Sequence, residues 1–84
     1  MRIQVFNLYQ EMAENGNFEK LVCPQHEDKI YVLYPFINEY DDIFLECWAC
    51  SFKLQPGIEM YRVLLEKLKG LAIDEIDPSY ELKT

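Results

Sequence analysis

Apolar and polar positions change their spacing twice along this chain. From Phe18 to Leu54 the apolar residues fall in short runs of β character, and from Ile58 to Lys69 they recur at helical spacing. The second pattern is the clearer one. At ~100° per residue, Ile58, Met60, Tyr61, Leu64, Leu65 and Leu68 share one side of a helix. Glu59, Arg62, Glu66 and Lys69 share the other, with Val63 standing among the charges. Gln55-Pro56-Gly57 breaks the preceding β pattern. Pro56 suits the first turn of the helix, and Gly70 suits its C-cap. This helix is expected to cover one face of a small sheet.

The β region divides into strand–turn–strand units. Phe18 to Val22 leads in, and Lys29 to Ile37 leads out with apolar residues on both faces, which predicts a strand covered on both sides or one covered by a partner. Pro35 cannot donate to a ladder and marks an edge or a bulge. Asn38-Glu39-Tyr40-Asp41-Asp42 has the composition of a turn. Ile43 to Glu46 then returns antiparallel, and Ser51 to Leu54 leaves again.

The two ends are less regular. Ile3 and Val5 alternate like a strand, while Val5, Leu8, Tyr9 and Met12 also fit one helical face. The reading favoured here is a short strand followed by a helical turn over about 7–14, with Asn7 and Gln10 placed as a capping box. Asn15-Gly16 is a stop signal. Leu71 to Thr84 carries Asp74, Glu75, Asp77 and Glu81 between isolated apolar residues Ile73, Ile76, Tyr80 and Leu82, and Pro78 interrupts it. It reads as an extended acidic arm. The expected organisation is therefore an N-terminal strand and helical turn over 1–17, a β module over 18–54, a helix within 55–70 packed on it, and an arm over 71–84.

With 84 residues, the chain makes one domain at most, and a domain of this size buries only about 60% of its unfolded surface. Such a core needs reinforcement. Fifteen acidic residues against eight basic give a formal charge of −7. Nonspecific nucleic-acid affinity comes from Lys and Arg neutralising phosphates, so direct nucleic-acid binding is not expected. A basic protein surface is the expected electrostatic partner. The opening Met1-Arg2-Ile3-Gln4-Val5 has no signal-peptide hydrophobic region, and no apolar run approaches the ~20 residues of a membrane span.

The chemistry is concentrated in two four-residue stretches, Cys23-Pro24-Gln25-His26 and Cys47-Trp48-Ala49-Cys50. They hold all three cysteines and the single histidine. Each places two potential ligands at i and i+3, a spacing at which a tight turn aims both at one ion. Three thiolates and an imidazole suit tetrahedral Zn(II), and a complete set of four suits a structural site with no open position. Cys23, His26, Cys47 and Cys50 are the candidate ligands of one structural zinc. An odd number of cysteines at ligand spacing points to a reducing, intracellular compartment. A zinc deaminase would need His-x-Glu and Pro-Cys-x-x-Cys, whereas His26 is followed by Glu27-Asp28 and Cys47 is preceded by Glu46. No catalytic residue is assigned, and the chain reads as a non-enzyme.

Leu21-Val22-Cys23-Pro24-Gln25-His26 and Cys47-Trp48-Ala49-Cys50, with a hairpin between them, resemble the zinc-ribbon family over about residues 18–54. In that family a Cys-Pro-x-Cys knuckle pairs with a second Cys-x-x-Cys knuckle. The resemblance implies zinc held by Cys23, His26, Cys47 and Cys50, with backbone amides of each knuckle bonding to sulfur. It also implies an α+β zinc-stapled domain of ribbon-like antiparallel hairpins followed by a helix. His26 stands in place of the family's second cysteine, and Glu27 and Ser51 stand where glycine commonly follows each knuckle.

Two functions follow as expectations. The first is a non-catalytic zinc module that binds protein partners in a larger assembly, in the cytoplasm or in a virion. The second is a transcription-associated zinc-ribbon factor on RNA polymerase or nucleic acid. It draws on Asp41-Asp42, which occupy the loop where transcript-cleavage factors of that family carry an acidic pair.

Overall fold

An N-terminal helix, α1 (Ile3–Glu14), places Val5, Phe6, Tyr9, Gln10 and Ala13 on its buried face. The computed structural model describes residues 1–28, 30–74 and 76–81. Lys29, which opens the expected outgoing strand, and Glu75, Leu82, Lys83 and Thr84 of the expected arm lie outside the described residues. The strand expected over Ile3–Val5 is absent from the described residues, because α1 begins at Ile3, after an extended Arg2. Asn7 lies inside the helix, exposed, and does not cap it. The longer helical stripe outweighs two alternating residues, since it buries five side chains in one face. The stop is where the sequence places it. Gly16 adopts φ 91°, and the amides of Gly16 and Asn17 return to the carbonyls of Ala13 and Met12 at 3.0 Å each, a Schellman closure that favours glycine at the left-handed position.

Three strands follow in the order β1 (Leu33–Ile37), β2 (Ile43–Cys47) and β3 (Lys53–Leu54), all antiparallel. The turn between β1 and β2 is held by Asn38, whose Oδ1 accepts from the amides of Tyr40 and Asp42 at 2.9 Å each. Asp41 takes the left-handed position, at φ 64°. Pro35 lies on the edge strand, as its missing donor requires. Leu33 sends its amide to Leu21, away from β2, so by alternation the ring of Pro35 also faces the open edge and removes no ladder bond.

Two expectations for the sheet are corrected. Phe18–Val22 does not form a strand; only the bridge Val22↔Val32 forms. The place of a neighbouring strand is taken by one side chain, Gln10. Its Oε1 accepts from the Leu21 amide at 3.1 Å, and its Nε2 donates to the carbonyls of Leu21 at 3.2 Å and Leu33 at 2.7 Å. Nor is β1 covered on both faces: Leu33 is buried, while Tyr34, Phe36 and Ile37 are exposed.

The second helix, α2 (Ile58–Gly70), buries Tyr61, Leu64, Leu65 and Leu68, and Val63 is exposed among the charges as its position predicts. Its boundaries differ slightly from the expected ones. Gly57 is the N-cap, and Gly70 remains helical. The left-handed residue beyond the helix is Ala72, at φ 53°. Glu59 in the first turn and Lys67 and Lys69 in the last complement the helix dipole. The chief partner of α2 is α1, with Phe6 and Tyr61 rings 5.9 Å apart. It is α1, rather than α2, that lies mainly against the sheet, through β1. The fold is thus a small α+β unit of two helices and a three-stranded antiparallel sheet, its core shared by Val5, Phe6, Leu45, Tyr61 and Leu68 with Cys23 and Cys47 at the edge.

The described part of the C-terminal segment folds back instead of extending. Ile73, Ile76 and Tyr80 pack against the core. A single 3-10 turn, Pro78–Tyr80, is capped by Asp77, which accepts from the Ser79 amide at 2.8 Å. The Tyr61 hydroxyl donates to the Tyr80 carbonyl, and Lys69 pairs with Glu81. Ile73, Ile76 and Tyr80, which have no period in sequence, are spaced to meet the core.

Replacing Gln10 by Ala leaves buried backbone groups of Leu21 and Leu33 without partners, at about 1–3 kcal/mol for an unsatisfied group. Thermal unfolding of Gln10→Ala is expected to fall by about 4–24 °C, using ~4–8 °C per kcal/mol for a domain of this size. Exposed Gln4→Ala should stay within a few degrees.

Candidate metal centre

Both knuckles begin where an antiparallel pairing ends, and β1 is the ruler they share. Leu33 faces Leu21 on one side, its amide donating to the Leu21 carbonyl at 2.8 Å, and stands opposite Cys47 on the other. Two residues beyond Leu21, the Cys23 amide donates to Tyr31 at 2.9 Å. Cys47 is the last residue of β2, and its amide donates to Phe52 at 3.1 Å. The chain turns sharply after each cysteine, over 24–26 and 48–50, and the turns come round to the same point.

All four candidate ligands meet there. The donor atoms of Cys23, His26, Cys47 and Cys50 lie within 4.8 Å of one another, so the cluster could hold a metal ion. Cys23 Sγ is 3.6 Å from Cys50 Sγ, and Cys47 Sγ is 3.5 Å from His26 Nε2. Both close approaches run between the knuckles. A tetrahedral ion with metal–sulfur and metal–nitrogen bonds of ordinary zinc length gives edges of about 3.8 Å for S···S and about 3.6 Å for S···N. The three cysteines are free thiols, and 3.6 Å is far from a disulfide bond of about 2.05 Å. Cys23 and Cys47 are buried; His26 and Cys50 are half-buried.

Backbone amides supply the electrostatics. Ala49 donates to Cys47 Sγ at 3.4 Å and Phe52 to Cys50 Sγ at 3.5 Å. Burial raises the Cys47 thiol, but the Ala49 amide, with hydrogen bonds from Cys50, His26 and Cys23, brings it down to about 7. Cys23 goes the other way, pushed up to about 11. Burial is the largest cause; the Gln25 amide opposes it, and hydrogen bonding with Cys50 and Cys47 adds to the rise. The surroundings therefore favour the thiolate at Cys47 and disfavour it at Cys23. A cation at the centre would favour the ionised form of a sulfur ligand.

Two supporting groups have roles other than those their sequence positions suggest, and Gln10 is a tie between Leu21 and Leu33, not a capping-box residue. The His26 ring packs on Tyr31, centroids 4.1 Å apart, and Tyr31 packs on Trp48 at 5.2 Å. This aromatic row holds the imidazole from the outside and spans both knuckles. Tyr31 carries no sequence signal, because it reads as one more apolar strand residue. Gln10 does leave a trace: it is the polar member of a helical stripe otherwise formed by Val5, Phe6, Tyr9 and Ala13.

The chain matches no protein-family model, no curated protein and no solved structure.

One divalent ion per chain is expected. Cobalt(II) titration should give the visible bands of a tetrahedral thiolate site, saturating at one equivalent. Cys23→Ser and Cys47→Ser should each weaken binding by more than the roughly 10–100-fold that loss of an outer supporting group costs. Trp48→Ala should leave the stoichiometry unchanged. Acidifying the cobalt form from about pH 7 to about pH 5 should bleach the bands, because protons compete for sulfur and nitrogen.

Proposed function

We propose that the chain is a non-catalytic structural zinc module of zinc-ribbon-like character that serves as a protein-interaction or assembly component. The observation that carries this reading is the convergence of Cys23, His26, Cys47 and Cys50 from two separate turns onto one point at the edge of the core. A donor set of three sulfurs and an imidazole favours Zn(II) among common divalent ions. Donors all within 4.8 Å of one another suit a single ion better than an iron–sulfur cluster, whose cysteines ligate separate irons. Four protein ligands complete the zinc coordination and leave no place for a reacting water, which supports a structural role over a catalytic one. Structural zinc contributes roughly 10–16 kcal/mol of apparent binding free energy, comparable to the whole stability of an ordinary domain. In a chain of this size the ion and the fold are then one cooperative unit.

The interaction role rests on the surface. Tyr40, Trp48 and Tyr34 are exposed on a chain of formal charge −7. No helix among the described residues is long and apolar enough to cross a membrane. The alternative is a transcription-associated zinc-ribbon factor on RNA polymerase or nucleic acid, for which the exposed side chains of Asp41 and Asp42 in the β1–β2 turn are the candidate acidic pair. Asp41 takes the left-handed turn position, and the Asp42 amide closes onto Asn38.

Untagged protein purified without added metal is expected to contain close to one zinc per chain by elemental analysis. A strong chelator should abolish the dispersed amide NMR spectrum, and returning zinc should restore it. Retention of the folded spectrum after complete zinc removal would overturn the structural role. Co-purification of RNA polymerase from native lysate would favour the transcription reading instead.

A further inference from the structure

The core packs against one face of the sheet, and the opposite face carries aromatic side chains toward solvent. Tyr34 and Phe36 are 55% and 49% exposed, although Leu33 beside them is buried. In the ladder Phe36 stands opposite Phe44, Tyr34 opposite Glu46, and Glu46 opposite Lys53. Directly opposed residues share a face, so these five side chains form one outward surface. The free edge of β1 is poorly suited to strand addition, because Pro35 interrupts its donors. The face, not the edge, is the available surface.

Its electrostatics select the occupant. Residues 33–54 carry Glu39, Asp41, Asp42 and Glu46 against a single cation, Lys53. That lysine is already in use: its Nζ lies 5.1 Å above the Phe44 ring, with Glu46 opposite it in register. The face thus holds an ammonium group of its own between an aromatic ring and a carboxylate strand position. A second cation would find the same combination at Tyr34 and Phe36, with Glu46 and the acidic turn beside them. Such contacts strengthen as water is excluded.

We infer that the outward face built by Tyr34, Phe36, Phe44 and Glu46 is a docking surface for a basic protein segment in which Lys or Arg alternates with aliphatic residues. Aliphatic side chains would cover the rings, and the cations would meet the carboxylates. A second copy of this chain is disfavoured, because two chains each at −7, with the acidic turn beside each face, repel on approach. Single-stranded nucleic acid is disfavoured for the same reason, since phosphate would meet carboxylate. The inference rests on the proposed interaction role and deepens it.

The test is an NMR titration of the folded full chain, its zinc content measured on the same sample, with a capped seven-residue peptide of alternating Lys and Leu. Amide shifts are expected to cluster on 33–37, 43–47 and 53–54. The double substitution Tyr34→Ser with Phe36→Ser should weaken binding by about tenfold or more. Raising salt from about 50 to about 300 mM should weaken it several-fold. A Glu/Leu peptide of the same length should not bind. The inference is overturned if no binding reaches saturation by about 1 mM or shifts cluster elsewhere. Equal binding by the Glu/Leu peptide or undiminished binding by the folded double variant overturns it too. So does a concentration-dependent dimer, or an oligothymidine complex, on this face. Zinc-free folded protein that still binds would sink the structural-zinc reading and leave this one standing, whereas zinc-loaded protein that fails to bind would do the reverse.

Discussion

The structure depends on holding two sharp turns, 24 residues apart at their first cysteines (23 and 47), within a few ångströms of each other. Strand register does this. Leu33 is fixed on one side by Leu21 and on the other by its place opposite Cys47, so the starts of both knuckles are set by one residue of β1. A slip of one position would turn every side chain of the strand to the other face. Leu33 would leave the core, and its place opposite Cys47 would be lost. The burial that aligns the hairpin thus also aligns the ligands.

Gln10 ties this arrangement to the helices. Its amide group meets the backbone on both flanks of the first knuckle, at Leu21 and Leu33, in the position a further strand would occupy. Placing a polar side chain on the buried face of α1 is costly unless every hydrogen bond is made. Here the donor and acceptor are both satisfied, and the result is a specific docking of helix on sheet that apolar contact alone would leave free to slide. The aromatic row His26–Tyr31–Trp48 has a related part on the outer side of the cluster, where it limits the swing of the imidazole.

The thiols of the cluster differ in how readily they ionise. Cys23 resists ionisation, pushed up to about 11 chiefly by burial, while Cys47 is lowered to about 7 despite burial. The opposed shifts describe donors brought together before the charge that would balance them. A bound dication would resolve that conflict, and the free energy released would reinforce a core of modest size. The same economy leaves aromatic side chains on the outer sheet face, since two short helices can cover only one side of three strands.

Several features were legible in the residues themselves. The i, i+3 ligand pairs, the turn at Asn38–Asp42, the position of Pro35, the Asn15-Gly16 stop and the amphipathic face of α2 each depend on contacts within a few residues, where local geometry decides. Other features needed the folded chain. Whether Ile3 and Val5 begin a strand or a helix was decided by the groove between α2 and the sheet, which only a helical stripe fills. Phe18–Val22 has strand composition yet makes a single bridge; the Leu21 amide goes to Gln10 and the Glu19 carbonyl to Tyr9, both on α1. Ile73, Ile76 and Tyr80 have no period because they answer to the spacing of a surface and not to a helix or strand of their own. The sequence alone determined which side chains could act as ligands. Their distance from one another came from β-ladder register and helix docking, which are set by burial between residues far apart in the chain.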